Sequence, residues 1–511
     1  MSPDHDNVDE RTPLLHEENA LNGEIESRKS GVRLLTSLAV DSIPVILSYI
    51  LQNSVQTTSV LITGKLGPEE LSAAAFSVML AYVTGWCIAL GGGSALDTLG
   101  SQAFTGGSRA SDLSIHFQRC VIVLWCLFIP VGFLWTFIGD VLLAIKEPPV
   151  LCANVQRILR ILIIGAPGYI AFESLKKYLQ CQGIMRASTW VLVIMTPINI
   201  VLHIYLIHFT TLGLLGCPLA LSITYWMAFF LLVIFTTLSP AHKRNGTWEG
   251  LQLRAALNPK GCWSFLKLAV PGILMVGTEW AAFEIVALAA GRLGGLPLAA
   301  QSVIMTTDQI VSTLPFGFGV VASNRIGNLL GAKAAVGAKR AAHAAALLSV
   351  IVMSIVMVIM LLSRNQFGYI YSDDEDVVRL VSKVMPLVAS FQIADGLANS
   401  CGGILRGQGR QHLGALFNIV AYYIIALPIG ISLAFKTPLG LQGLWIGQVI
   451  GLFTVGIGEY GVVWLGTNWN LEVEKGIKRN EEEAKRHDVQ VPASHLAHGD
   501  PTLDQGPSET P

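Results

Sequence analysis

"GKLGPEELSAAAFSVM", residues 64–79, returns 227 residues later as "GRLGGLPLAAQSVIMT", residues 291–306, aligned without a gap. The same offset sets Pro44 on Pro271, Gly92 on Gly319, Gly100 on Gly327, Gly213 on Gly440 and Gly216 on Gly443. At an offset of 226, "LQCQG" (179–183) meets "LRGQG" (405–409). One match among glycines is chance, but a nearly constant offset across half a chain is an internal repeat. The fold then depends on what the repeating unit is.

Composition supplies that unit. Of 511 residues, 52% are hydrophobic and 14% charged, whereas a soluble domain carries about 25% charged residues. The chain reads as a polytopic membrane protein. Twelve apolar segments, each near the ~20 residues that cross a bilayer core, fall at about 36–62, 71–103, 117–144, 151–180, 187–209, 213–239, 262–291, 297–324, 338–370, 377–405, 411–435 and 441–466. The expected fold is all-α and integral to the membrane: twelve transmembrane helices in two six-helix lobes. An even repeat preserves topology, so the lobes are expected to be related by a pseudo-two-fold axis along the membrane normal. The divisions are an N-tail (1–33), an N-lobe (34–240), an inter-lobe loop (241–261), a C-lobe (262–468) and a C-tail (469–511).

A net charge of −1 gives no reason to expect a nucleic-acid partner. The eight cysteines lie mostly in apolar runs with no C-x-x-C pair, which suits buried small hydrophobes rather than disulfides or a metal site. No cofactor or metal is expected, and the chain is read as a monomer. Both tails are polar, and residues 470–511, with "KRNEEEAKRHD", read as disordered. Basic residues concentrate in the loops on the tails' side, including Lys243, Arg244, Arg254 and Lys260, while the loop after span nine reads "SDDED". The positive-inside bias puts both tails in the cytosol. The paired prolines Pro44 and Pro271 are expected to bend the first span of each lobe and act as hinges.

Within span seven, "GTEWAAFEIVALAAG" (277–291) carries Glu279 near the bilayer centre and Glu284 five residues on. A carboxylate at that depth costs several kcal/mol unless it is neutralised, paired or hydrated, so an unpaired one is a candidate proton carrier. Asp395 in span ten is a third acid at similar depth. At offset 227, Glu279 and Glu284 fall on Gln52 and Thr57, inside "LQNSVQTTS", and at 226 Asp395 falls on Tyr169. Coupling is therefore assigned to Glu279, Glu284 and Asp395 of the C-lobe. Substrate contacts are expected from both lobes, including Gln52, Asn53, Gln56 and Thr57. Asp97 reads as a packing or capping group, Glu173 and Lys177 as a helix-surface ion pair at i,i+4, and His203 and His208 as interfacial histidines.

The chain resembles the multidrug and toxic compound extrusion (MATE) family, most of all its eukaryotic branch. "SALDTLGSQAFTG" resembles that family's motif at the end of span two, with Asp97 where relatives usually have Glu, and "ASNRIGNLLGA" is similar to its second-lobe counterpart. "GTEWAAFE" resembles the span-seven motif, whose functional glutamates land on Glu279 and Glu284. "GLANSCGGILRGQGRQHLGALFNIVAYY" is similar to the signature of spans ten and eleven. Some animal relatives place a further glutamate on span eight; here that position is Thr306, counted as a cavity position, and Asp308 would face another side of the helix.

The resemblance implies secondary active export of organic compounds, cationic or amphipathic, from the cytosol against protons, with Na+ as the alternative ion. Trp280, Tyr422 and Tyr423 offer aromatic faces to a cationic substrate. A flippase for lipid-linked precursors is the rival in the same superfamily. It needs cations in the cavity, for which Arg157 and Arg160 are the deepest N-lobe candidates. A membrane-embedded enzyme is the rival from another class, and no catalytic cluster at the required spacing supports it. The tail segment "ERTPLL", with Glu10, Leu14 and Leu15, has the form of a dileucine sorting signal. It favours a vacuolar membrane over the plasma membrane.

Overall fold

Each lipid-crossing segment must satisfy its own backbone hydrogen bonds, so apolar runs of this length fold as helices. The computed structural model describes residues 30–488. Its long helices, in chain order, are α1 (Gly31–Thr63), α2 (Pro68–Gly106), α3 (Asp112–Thr136), α4 (Pro149–Cys181), α5 (Ala187–His208) and α6 (Gly216–Leu238). The second set is α7 (Pro259–Leu293), α8 in two pieces (Gly295–Val311 and Thr313–Gly331), α9 (Ala335–Phe367), α10 (Glu375–Gln408), α11 (Gln411–Lys436) and α12 (Leu441–Trp464). A last helix, α13, spans Trp469–Asp488.

Local chemistry sets the ends. Proline occupies the first turn of α2, α4 and α7, where its missing N–H is no loss. Asn258 caps α7 by accepting from the Lys260 and Gly261 amides, and Asp374 of the "SDDED" loop caps α10 from the Asp376 and Val377 amides. Gly409, at φ +79°, ends α10 in the left-handed region.

The repeat is visible in three dimensions as one contact made twice. Gly91 of α2 packs its backbone on Gly272 and Ile273 of α7, and Gly317 of α8 packs on Ile46 of α1. Gly91 and Gly317 stand 226 residues apart, and Ile46 and Ile273 stand 227 apart. The second helix of each lobe is also interrupted at the same repeat position. In α2, wide i→i+5 turns run over Tyr82–Trp86 and Ile88–Gly92; in α8 the break falls at Ser312.

On the side that carries the chain ends, α2 and α8 cross and close the gap between lobes. Ser101 Oγ donates to Asn324 Oδ1 at 3.1 Å, Gln102 Nε2 to the Gly407 carbonyl at 3.0 Å, and Asn328 Nδ2 to the Cys181 carbonyl at 3.1 Å. The last two bonds are again repeat mates of each other. All eight cysteines are unbridged and most are buried.

Three expectations fail here. The C-tail is not irregular from residue 470, because α13 is a helix docked across both lobes. Asn480 Nδ2 donates to the Gln102 carbonyl (3.1 Å), Arg479 Nη1 to the Gln408 carbonyl (3.2 Å), and Arg486 Nη2 to Ser264 Oγ (3.3 Å). Its charge pattern looked like a solvated tail because the partners that neutralise it are distant in sequence. His203 is fully buried, not interfacial; its Nδ1 lies 2.8 Å from the Asn199 carbonyl. Glu173 and Lys177 do not pair: Glu173 binds Lys176 at 2.7 Å and Lys177 binds Asp97 at 2.8 Å, all four groups buried. The sorting residues Glu10, Leu14 and Leu15 lie outside the described residues.

Candidate functional site

Above the α2–α8 crossing, the lobes part around a cavity of ≈ 1150 Å³, some of it open to solvent. Tyr49, Gln52, Asn53, Tyr82 and Leu90 line it from the N-lobe; Glu279, Trp280, Asp308, Asp395, Asn399, Arg406 and Glu459 line it from the C-lobe.

The C-lobe wall is acidic. On α10, Gln392, Asp395 and Asn399 follow i, i+3, i+7 spacing and so share one face. Asn399 Nδ2 donates to Asp395 Oδ1 at 2.7 Å, and Gln392 Nε2 donates to Asp308 Oδ1 at 2.9 Å. Asp395 Oδ2 is buried without a partner among the described residues. Glu279 Oε1 accepts from Tyr422 Oη at 3.3 Å, and Tyr423 Oη donates to the Thr278 carbonyl at 3.0 Å. Both tyrosines sit in a wide-turn stretch of α11, Ile419–Ala426, which presents successive hydroxyls toward α7. They position the Glu279 helix and do not form the cavity surface.

The structure brings together Glu279, Asp395, Gln52, Asn53 and Trp280 and excludes other expected members. Glu284 is half-buried and away from this wall, because five residues rotate a helix by about 140°. Thr57 is exposed and Gln56 is buried against Tyr225 (3.5 Å), so neither lines the cavity. On α8 the reading inverts: Thr306 is exposed and turned away, while Asp308 faces the cavity. Arg157 and Arg160 are exposed at span ends. Among the described residues, Arg406 is the one cation on the cavity wall.

Glu459 and Lys176 escape the sequence reading, and Lys177 is given the wrong partner in it. Glu459, fully buried in α12, is a lone acid within an apolar span, and the rule that singles out Glu279 also applies to it. Lys176 and Lys177 were hidden by adjacency, since "ESLKK" suggests a helix surface. In the folded lobe, Lys176 Nζ reaches Glu173 (2.7 Å) and Gln52 Oε1 (3.0 Å) and lies 4.1 Å from the Tyr49 ring centroid. Gln52 Nε2 in turn donates to Tyr169 Oη and Glu173 Oε1, each at 2.8 Å. The N-lobe wall thus pairs its acid with a lysine, and the C-lobe wall carries the uncompensated acids.

Two repeat-related helical lobes around a cavity lined in part by polar groups define a two-lobed membrane transport protein. The MatE family model matches residues 44–206 and 271–431, one stretch in each lobe. The chain is 38% identical over 455 residues to an uncharacterized transporter of Schizosaccharomyces pombe, covering 88% of this chain and 82% of that protein. It is 33% identical over 417 residues to human multidrug and toxin extrusion protein 1, covering 81% of this chain and 72% of the relative. The crystal structure of the eukaryotic MATE transporter AtDTX14 superposes with a TM-score of 0.81 at 30% identity, covering 88% of this chain and all of that one. The chain belongs to the MATE family. It is an efflux transporter and not an enzyme.

Proposed function

We propose that this transporter is a proton-driven antiporter that exports organic cations through the cavity between its lobes. The observation that carries the reading is the asymmetry of the two walls. Three carboxyls, Glu279, Asp308 and Asp395, converge on the C-lobe side, while the N-lobe acids Glu173 and Asp97 are each paired with a lysine. Burial in apolar surroundings favours the neutral form of an uncompensated carboxyl. Such a group can be neutralised by a proton or by a bound organic cation. When both compete for the same oxygens, each displaces the other, and net exchange follows. Trp280, packed on Tyr82 at 4.9 Å between ring centroids, offers a cation its π face. Gln52 and Asn53 supply polar contacts from the opposite lobe.

We assign the side of the chain ends to the cytosol from the positive-inside bias, so protons enter from the far side and substrate leaves toward it. A vacuolar membrane, acidic on that far side, suits this direction. The flippase reading is disfavoured because a pyrophosphate needs several cations, and Lys176 and Lys177 are already neutralised. The test is uptake of tetraethylammonium into proteoliposomes under an imposed pH gradient, with a Na+ gradient as the second arm. The expected result is uptake driven by the proton gradient in the parent and lost in Glu279→Gln at equal protein content. Uptake driven by Na+ alone, or parental pH-driven uptake in Glu279→Gln, overturns the reading.

A further inference from the structure

We propose that Glu459, set against Arg406 at the closed end of the cavity, binds a coupling proton of its own, separate from the central carboxyls. The inference rests on the antiport reading and adds a site to it. Glu459 is fully buried on α12, and among the described residues neither of its carboxyl oxygens has a hydrogen-bond partner. Arg406 is 6% exposed, and its Nη2 has no acceptor among the described residues. Both side chains face one spot on α10. A β-carbon added at Gly402 would lie 3.6 Å from Glu459 Oε2 and 3.8 Å from Arg406 Nη1, yet the two groups form no ion pair. Where little water reaches, a carboxylate and a guanidinium attract strongly and are drawn toward contact. A protonated Glu459 lacks that charge–charge pull, so gain or loss of its proton changes how the acid sits against Arg406.

The surroundings suit one proton rather than a larger ligand. Gly414 of α11 and Met275 of α7 press on the carboxyl: a β-carbon at Gly414 would meet Glu459 Oε1 at 3.2 Å and the Met275 sulfur at 2.8 Å. The titratable and charged groups facing Glu459 are Arg406 and Cys401 of α10 and Glu279 of α7. From α11, Tyr422 gives its hydroxyl to Glu279 instead. Gly402 is seven residues beyond Asp395, so Glu459 lies about 10 Å further toward the chain-end side. There the Arg406 carbonyl accepts from Thr98 of the other lobe, and Gln411 Nε2 reaches Thr98 Oγ1 at 2.9 Å. Loss of the proton restores a carboxylate that draws in Arg406, a residue of the segment that seals the lobes. Protonation at this end is thereby tied to the seal.

The experiment measures protons exchanged per tetraethylammonium in proteoliposomes holding the full chain, using a trapped pH dye and labelled substrate. Parent, Glu459→Gln, Glu459→Asp and Glu279→Gln are compared. Gln keeps the shape of the protonated acid, so a packing role is preserved while proton release is removed. The expected result is a ratio about one proton lower in Glu459→Gln, near the parent in Glu459→Asp, and no coupled flux in Glu279→Gln. A parental ratio and pH profile in Glu459→Gln overturns the inference while leaving the antiport reading intact. Parental coupling in Glu279→Gln with a lowered ratio in Glu459→Gln removes Glu279 from the antiport mechanism and keeps Glu459 as a coupling site. Should Glu459→Gln be inactive, the acid-minus-alkaline infrared difference spectrum decides: the variant must lack a carboxylic C=O band that the parent shows, and identical spectra overturn the site.

Discussion

Glu483→Gln probes how firmly α13 straps the closed face. The Glu483 side chain is 6% exposed and accepts from Arg119 Nη2 at 2.6 Å and from Arg486 Nη1 at 2.8 Å. Burial works against its charge, but the charges of His116 and Arg119 and the two hydrogen bonds outweigh it, holding the carboxyl at about 2 against an ordinary 4.5. At 1.36 kcal/mol per pH unit, that difference is roughly 3 kcal/mol of docking free energy. Because the docked value is depressed, this stability is present above the undocked value and is lost as pH falls through the docked one. Neutralising one member of a buried pair costs about 3–5 kcal/mol; the lower end applies, since Arg119 keeps the Ala255 and Ala256 carbonyls as acceptors. The assay is amide hydrogen exchange in detergent or nanodiscs at neutral pH. Exchange across 469–488 should rise about a hundredfold in the variant, with α5 unchanged. A rise of less than about threefold, or an equal rise in α5, refutes the reasoning.

Four further outcomes are expected. Asp308→Asn should cut pH-driven uptake at least about tenfold whereas Thr306→Ala leaves it within about twofold, because the first residue faces the cavity and the second does not; initial rates at matched protein content check this. Gly272→Ala should force α7 off Gly91 and Ser94, where no room exists for a β-carbon, at a cost of about 1–3 kcal/mol; label distances across the two helices should lengthen, and unchanged distances would refute it. Lys177→Met leaves Asp97 buried without its cation and should lower thermal stability by about 3–5 kcal/mol, with Asp97→Asn/Lys177→Met recovering part of the loss in a double-mutant cycle. Leu14→Ala/Leu15→Ala should move a tagged protein from the vacuolar membrane to the plasma membrane, and an unaltered distribution removes the sorting reading.

Much of the molecule was legible without coordinates. The repeat, at an offset of 226 to 227, is matched by the exchanged contacts of Gly91 with Ile273 and of Gly317 with Ile46. Counting along the spans sets Glu279 and Asp395 at similar heights, and both line one cavity. Rotation about the helix axis was not legible. Thr306 and Asp308 were assigned to the wrong faces, and Glu284 was grouped with Glu279 though it turns away. Pairing between distant segments was equally hidden, as Asp97 with Lys177 and Arg119 with Glu483 show.

The division has one physical cause. Transfer from water to lipid is a one-dimensional problem, and an apolar run must be a helix because nothing in the bilayer can satisfy its backbone. The sequence therefore determined the class, the helical spans and the two lobes. A soluble helix would also have announced its inward face through a polar stripe on the other side. Lipid is as apolar as the packed interior, so a span gives no such signal. Which acids look into the cavity, which are neutralised by a lysine from the next helix, and which face Arg406 across a gap were decided only when the helices packed.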